Sequence, residues 1–128
     1  MQRRLVILTN ETEAVIQTYF DASYEGSKEK MLQVFHPAAH IYGHRPDGTL
    51  SVTPRNAFAE RVGTPRPDRP SYPRQDQILS IDFTGEHAAV ARVSLRVGNT
   101  LYTDVLTFLR FDGEWSIIAK AYSGVAAV

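Results

Sequence analysis

Three of the chain's four histidines, His36, His40 and His44, fall in one stretch, FHPAAHIYGHRPDGT. Tyr42 stands between the last two. An imidazole titrates near neutral pH, so it can give or take a proton there. A tyrosine hydroxyl can donate a hydrogen bond to a developing oxyanion. Tyr19, on a helical stretch upstream, is a further candidate donor. His40 as base, with Tyr19 or Tyr42 as donor, would support proton abstraction beside a carbonyl, dehydration or cyclisation. A structural reading stands next to the catalytic one. In it the strand is a short edge, His44 sits in solvent, and His40 packs under the helices. Tyr19 is then an aromatic core residue whose hydroxyl finds a bond. His36, beside Pro37 at a helix end, reads as a partner for the last free carbonyls.

Metal chemistry fits poorly. Zinc needs three or four converging ligands. On a regular strand His40 and His44 stand about 13 Å apart, at ~3.3 Å per residue. Neither a metal nor any other cofactor is expected. The chain has no cysteine, hence no disulfide framework and no thiolate nucleophile.

The elements that must position these groups can be read in order. Asn10 and Glu13 form a capping pair for a first helix running to about Tyr24 and stopped near Gly26. Ser27 caps a short second helix, KEKMLQVF, which Pro37 ends. HIYGH alternates as a strand, with His40, Tyr42 and His44 on one face and Ile41 on the other. Asp47-Gly48 turns the chain back along TLSV. Thr53-Pro54 opens a third helix that carries Phe58 and ends at Gly63. The proline-rich segment 63–75 contains PxxP spacings and reads as a stiff connector beside a site, or as a docking motif. QILSIDF, HAAVARVSLRV, LYTDVLTFLRF and EWSIIAKAYS then form an antiparallel meander.

A three-residue loop at Asp112-Gly113 would set Arg110 opposite Glu114, Asp104 opposite Lys120 and Tyr102 opposite Tyr122. That register gives a dry face holding Val93, Leu95, Val97, Val105, Leu109, Trp115 and Ile117. It puts Arg92, Tyr102, Asp104, Lys120 and Tyr122 on the opposite face, with Leu106 and Phe108. Apolar groups mixed with paired charges suggest a homodimer interface there.

The sequence of 128 residues fits a single domain, 1–128, able to bury a core. Its formal net charge of zero lacks the electrostatic footprint of a nucleic-acid binder. The apolar run Leu5-Val6-Ile7-Leu8 is short for an export signal or a membrane span. A cytoplasmic protein is expected, without membrane or nucleic-acid partners.

The helix AVIQTYFDASYEG, the strand entry FHPAAHIYGH and the ending YTDVLTFLRFDGEWSIIAKAY resemble the nuclear transport factor 2-like superfamily. Within it they are similar to the bacterial "putative lumazine-binding" proteins. The resemblance covers nearly the whole chain. Its most specific parts are Phe35-His36-Pro37, Thr103-Asp104, Asp112-Gly113 with Trp115, and Lys120. Close relatives often carry an acid where Ala38 stands. The resemblance implies a cone-shaped α+β fold, with three N-terminal helices packed on a curved antiparallel sheet. It also implies an interior pocket and usually a homodimer through the outer sheet face. Ketosteroid isomerase, a member class, maps its tyrosine onto Tyr19, but its two acids onto Gly43 and Thr107. Steroid isomerisation is therefore not expected.

These readings converge on a pocket lined by Tyr19, His40, Tyr42, Phe58, Thr107 and Trp115. The expected function is binding of an apolar or aromatic small molecule. The alternatives are a cofactor-free isomerase, dehydratase or cyclase with His40 as base and Tyr19 as donor, and a dimeric adaptor without ligand.

Overall fold

The computed structural model describes residues 2–67 and 72–127. Helix α1 spans Gln2–Glu25, α2 Lys28–Val34 and α3 Arg55–Gly63. The strands are β1 Phe35–His44, β2 Leu50–Pro54, β3 Asp76–Thr84, β4 Ala88–Val97, β5 Thr100–Phe111 and β6 Glu114–Ala126. They form one curved, unclosed sheet in the order β2-β1-β6-β5-β4-β3, with the helices packed on it. β1 runs parallel to β6, and the other neighbours are antiparallel.

Helix α1 does not begin at Asn10. It runs through that residue from Gln2, and Leu8 is already buried in the core. The expected cap therefore lies mid-helix, where Thr12 instead donates its hydroxyl to Leu8 O at 3.0 Å. Thr12, Ile16, Tyr19, Phe20 and Ser23 form the buried stripe, at the spacing of one helix face. The helix ends where predicted. Gly26 takes φ 74°, and the amides of Gly26 and Ser27 both reach Ala22 O at 2.9 Å. Ser27 caps α2 by accepting from the Lys30 amide at 3.2 Å. Thr53 is not a helix cap. It is a buried residue of β2, and Pro54 precedes α3 without a side-chain cap bond.

The β5–β6 register differs from the expected one in two places. Asp112 and Gly113 both have positive φ, 50° and 79°, and Phe111 pairs directly with Glu114. The turn is thus a two-residue hairpin turn, whose pair of positive φ angles matches the strand twist. Further along, Phe108 pairs with Ile117 but Thr107 pairs with Ala119. Ile118 is the extra residue of a β-bulge.

The bulge decides which side chains enter the cone. Without it, the alternation that buries Trp115 and Ile117 would point Lys120 and Tyr122 outward. With it, Lys120 faces inward beside Leu106, and Tyr122 beside Asp104. On β5 the inward residues are Asp104, Leu106 and Phe108, all fully buried, while Val105 stands exposed. The expected faces of β4 hold, with Val93 and Leu95 inside and Arg92 outside. Those of β5 are reversed.

Part of the proline-rich segment, residues 68–71, lies outside the described residues. Its C-terminal flank is anchored. Tyr72 is buried, with its ring edge-on to Tyr24 at 5.6 Å, and Arg74 bonds both Asp21 and Asp76.

Candidate functional site

The inward side chains of β5 and β6 meet the buried stripe of α1 at Asp104. Tyr19 donates its hydroxyl hydrogen to Asp104 Oδ2. Both residues are buried, Asp104 completely. Burial, then the carboxylate's charge and this hydrogen bond, push the Tyr19 phenol well above its usual range, so it stays protonated. Ser23, one turn on, ties its hydroxyl to Tyr19 O at 2.9 Å.

Lys120 Nζ lies 3.7 Å from the same Oδ2, within ion-pair range but beyond hydrogen-bond length. Around it stand three aromatic rings, with centroids 4.6 Å away for Phe58, 5.3 Å for Tyr19 and 5.5 Å for Tyr122. Desolvation pulls the lysine below its ordinary value of 10.5. Asp104 opposes that shift and the Arg61 charge adds to it. The second carboxylate oxygen, Asp104 Oδ1, is buried with no hydrogen-bond partner among the described residues. An acceptor left so costs about 1–3 kcal/mol unless a donor arrives.

These groups border a cavity of about 160 Å³. Ile41 of β1, Phe58 of α3, Leu95 of β4 and the rings of Tyr102 and Tyr122 form most of its apolar wall. Arg61 and Arg66, both exposed, also line it. Gly43 makes room for Tyr122. A Cβ there would lie 2.5 Å from the tyrosine oxygen.

Of the sequence-predicted pocket residues, Tyr19 and Phe58 line this cavity. His40, Tyr42 and Thr107 do not, because they occupy the outer face of the sheet. Ile41 is the inward residue of β1, and His40 Nδ1 lies 3.1 Å from Ala38 O. His40 therefore has no contact with Tyr19 through which to act as its catalytic base. Trp115 is buried elsewhere in the cone, with its indole N–H on Glu11 at 3.2 Å. The expected interface residues separate as well. Arg92 faces out, but Tyr102, Asp104, Lys120 and Tyr122 belong to the cavity wall. Asp104 and Lys120 were visible in the sequence as opposite charges on adjacent strands. The bulge at Ile118, which turns Lys120 to the same inward side as Asp104, left no signal there.

Three helices on a curved sheet, with a lined cavity between the layers, define the nuclear transport factor 2-like class of α+β proteins. The chain belongs to the family described as "Putative lumazine-binding", whose model matches residues 9–123. It is 28% identical over 120 residues to "Aldolase FrzH" of Cladobotryum sp, an alignment spanning 91% of this chain and 93% of that protein. A nuclear transport factor 2-like protein of unknown function from Shewanella baltica superposes with TM-score 0.86 at 23% identity, covering 95% and 97% of the two chains. A similar protein from Methylobacillus flagellatus superposes with TM-score 0.74 at 27% identity, covering 92% of each. No helix among the described residues is long and apolar enough to cross a membrane.

Proposed function

We propose that the protein is a cofactor-free enzyme acting on a small aldehyde or ketone. In this reading it moves a proton at the carbon beside the carbonyl. One observation carries the proposal: Asp104 is buried at the cavity wall, held at one oxygen by Tyr19, without a partner at the other among the described residues, and beside an amine 3.7 Å away. A carboxylate with an unpartnered oxygen at a cavity wall can accept a proton from a carbon acid seated there. The amine beside it supplies a partner for the negative charge that grows on the substrate. Tyr19 stays neutral and fixes the carboxylate's orientation. The aldolase relative is consistent with this, since aldol chemistry begins by removing such a proton.

The test is hydrogen–deuterium exchange at the α-carbon, followed by NMR in deuterated buffer across a panel of small aldehydes and ketones. Asp104→Asn should lower any exchange about 10²-fold or more. A panel without exchange, together with a non-carbonyl compound retained in a native mass spectrum, would return the protein to simple ligand binding.

We also propose that the outer sheet face pairs with a second copy of this chain. Val90, Val105 and Tyr42 stand exposed there beside Arg92. Asp104 and Lys120 take no part in that face.

A further inference from the structure

Every other lysine of this chain serves the surface. There are three in all. Lys28 pairs with Glu60 and Lys30 with Glu25, all well exposed. Lys120 alone is buried, and its Nζ makes no hydrogen bond to the nearest carboxylate, 3.7 Å away. A lysine kept only for an ion pair would be expected to close that gap, since charge-assisted bonds are shorter, at about 2.7–2.9 Å. Here three aromatic rings hold the amine at the cavity wall.

We propose that Lys120 is a covalent catalyst that binds the substrate carbonyl as a Schiff base. This rests on the carbonyl reading above and names the group that activates the substrate. Three features of the site suit the step. The apolar surround withholds water from the amine, and Arg61 lines the same cavity, two conditions under which a lysine becomes nucleophilic. The rings alone would favour the ammonium form. Burial acts against it and prevails in the direction of the shift. The third feature is Asp104, a base within reach of the amine's bound partner.

The Nζ lone pair attacks the carbonyl carbon, giving a carbinolamine. The carbonyl oxygen leaves as water, taking one hydrogen from the amine and one proton from solvent. The product is an iminium ion on Lys120. Asp104 takes the α-proton, and the C–H electron pair neutralises the iminium as an enamine. The enamine carbon then takes the proton back from Asp104, or attacks an aldehyde carbon whose carbonyl electron pair moves to oxygen and takes that proton. Either way the iminium re-forms. Water hydrolyses it to the carbonyl product and the free amine, releasing one proton to solvent.

The full chain is treated with 2,4-pentanedione near neutral pH. A reactive lysine condenses with this diketone to a conjugated enaminone, with loss of water and a new near-ultraviolet band. Peptide mapping then assigns the site. Lys120 should be labelled several-fold faster than Lys28 or Lys30, the direction that its burial beside Arg61 favours. Lys120→Met, which keeps an unbranched side chain among the rings, should remove the fast phase of the band and leave the slow labelling of the surface lysines. Borohydride should trap a second, substrate-sized adduct on the same lysine with any ketone active in the exchange assay. If exchange proceeds but no adduct forms on Lys120, the Schiff base is overturned and the proton-transfer reading stands. If labelling falls equally on the surface lysines, the inference is overturned as well. If neither exchange nor adduct is seen, both readings fall.

Discussion

Tyr19 and Asp104, 85 residues apart in sequence, share one hydrogen bond inside the cone. It fastens α1 to the middle of the sheet and leaves the carboxylate one oxygen without a partner among the described residues. Tyr19→Phe keeps the ring but removes the donor. Asp104 Oδ2 would then keep only the lysine beyond hydrogen-bond distance. Loss of a buried charge-assisted bond should cost about 1.5–3 kcal/mol in urea unfolding near neutral pH. The variant should also flatten the alkaline limb of the stability curve. In the wild type the unfolded phenol ionises near 10.0, while the folded one stays protonated at higher pH. The folded state then binds more protons, so stability falls as pH rises above 10.0. A Phe variant has no such step at this position. An unchanged alkaline limb would show that Tyr19 ionises freely in the folded protein.

Lys120 makes the opposite contribution. Its folded value lies below 10.5, so between the two the unfolded chain binds the extra proton. Stability should therefore rise with pH across that window. The burial penalty is fully present below the depressed value and gone by about 10.5. Lys120→Met abolishes this dependence. The level of its stability mixes that gain with the loss of Asp104's cation, so the slope is the readout. Unfolding curves from neutral pH to about 10 should show a shallower rise in the variant. Parallel slopes would mean that Lys120 titrates normally.

Much of this fold can be read from residue types alone. Gly26, Ser27 and Asp47-Gly48 act locally, so the turns and caps they mark appear where expected. The buried stripe of α1 is equally plain, because helical spacing repeats over three turns. The site was harder to see. Strand faces depend on parity, and one uncounted residue reverses every side chain beyond it. Ile118 is an ordinary strand residue by type, and only pairing across to β5 shows that it bulges. The histidine strand failed for a related reason. Alternation separates His40 and Tyr42 from Ile41, but it does not say which set faces the helices. The apolar residue went inside, at 3% exposure, and the histidines out.

The outer face offers an independent check on assembly. Val105 is 38% exposed and Val90 36%, on adjacent strands, with Thr107 directly across from Val90. Val105→Asp places a charge at the centre of this patch without touching the cavity. Sedimentation should show a wild-type dimer shifting to monomer in the variant, with diketone labelling of Lys120 unchanged. A wild-type monomer would remove the second copy from this face.

Gly43 tests the cavity wall at a distance from the reacting groups. It lies on the inner face of β1, where its missing side chain admits the Tyr122 ring. A Cβ would come within 2.5 Å of the tyrosine oxygen and 2.6 Å of the ring carbon bearing it. Backbone strain is not the reason, since Gly43 is not among the positive-φ glycines. Gly43→Ala should therefore leave β1 paired and swing the Tyr122 ring aside, opening one of the three rings around Lys120. Water then reaches the amine, its proton affinity climbs back toward that of an exposed lysine, and less free amine is present at neutral pH. Diketone labelling of Lys120 should slow several-fold, and the pH at which it is half-maximal should rise, while thermal unfolding shifts by only a few degrees. If the tyrosine cannot move, the alanine will instead disrupt the β1–β6 pairing and lower the unfolding temperature sharply. The circular dichroism melt separates the two outcomes, and only the first ties the exclusion of water by Tyr122 to the reactivity of Lys120.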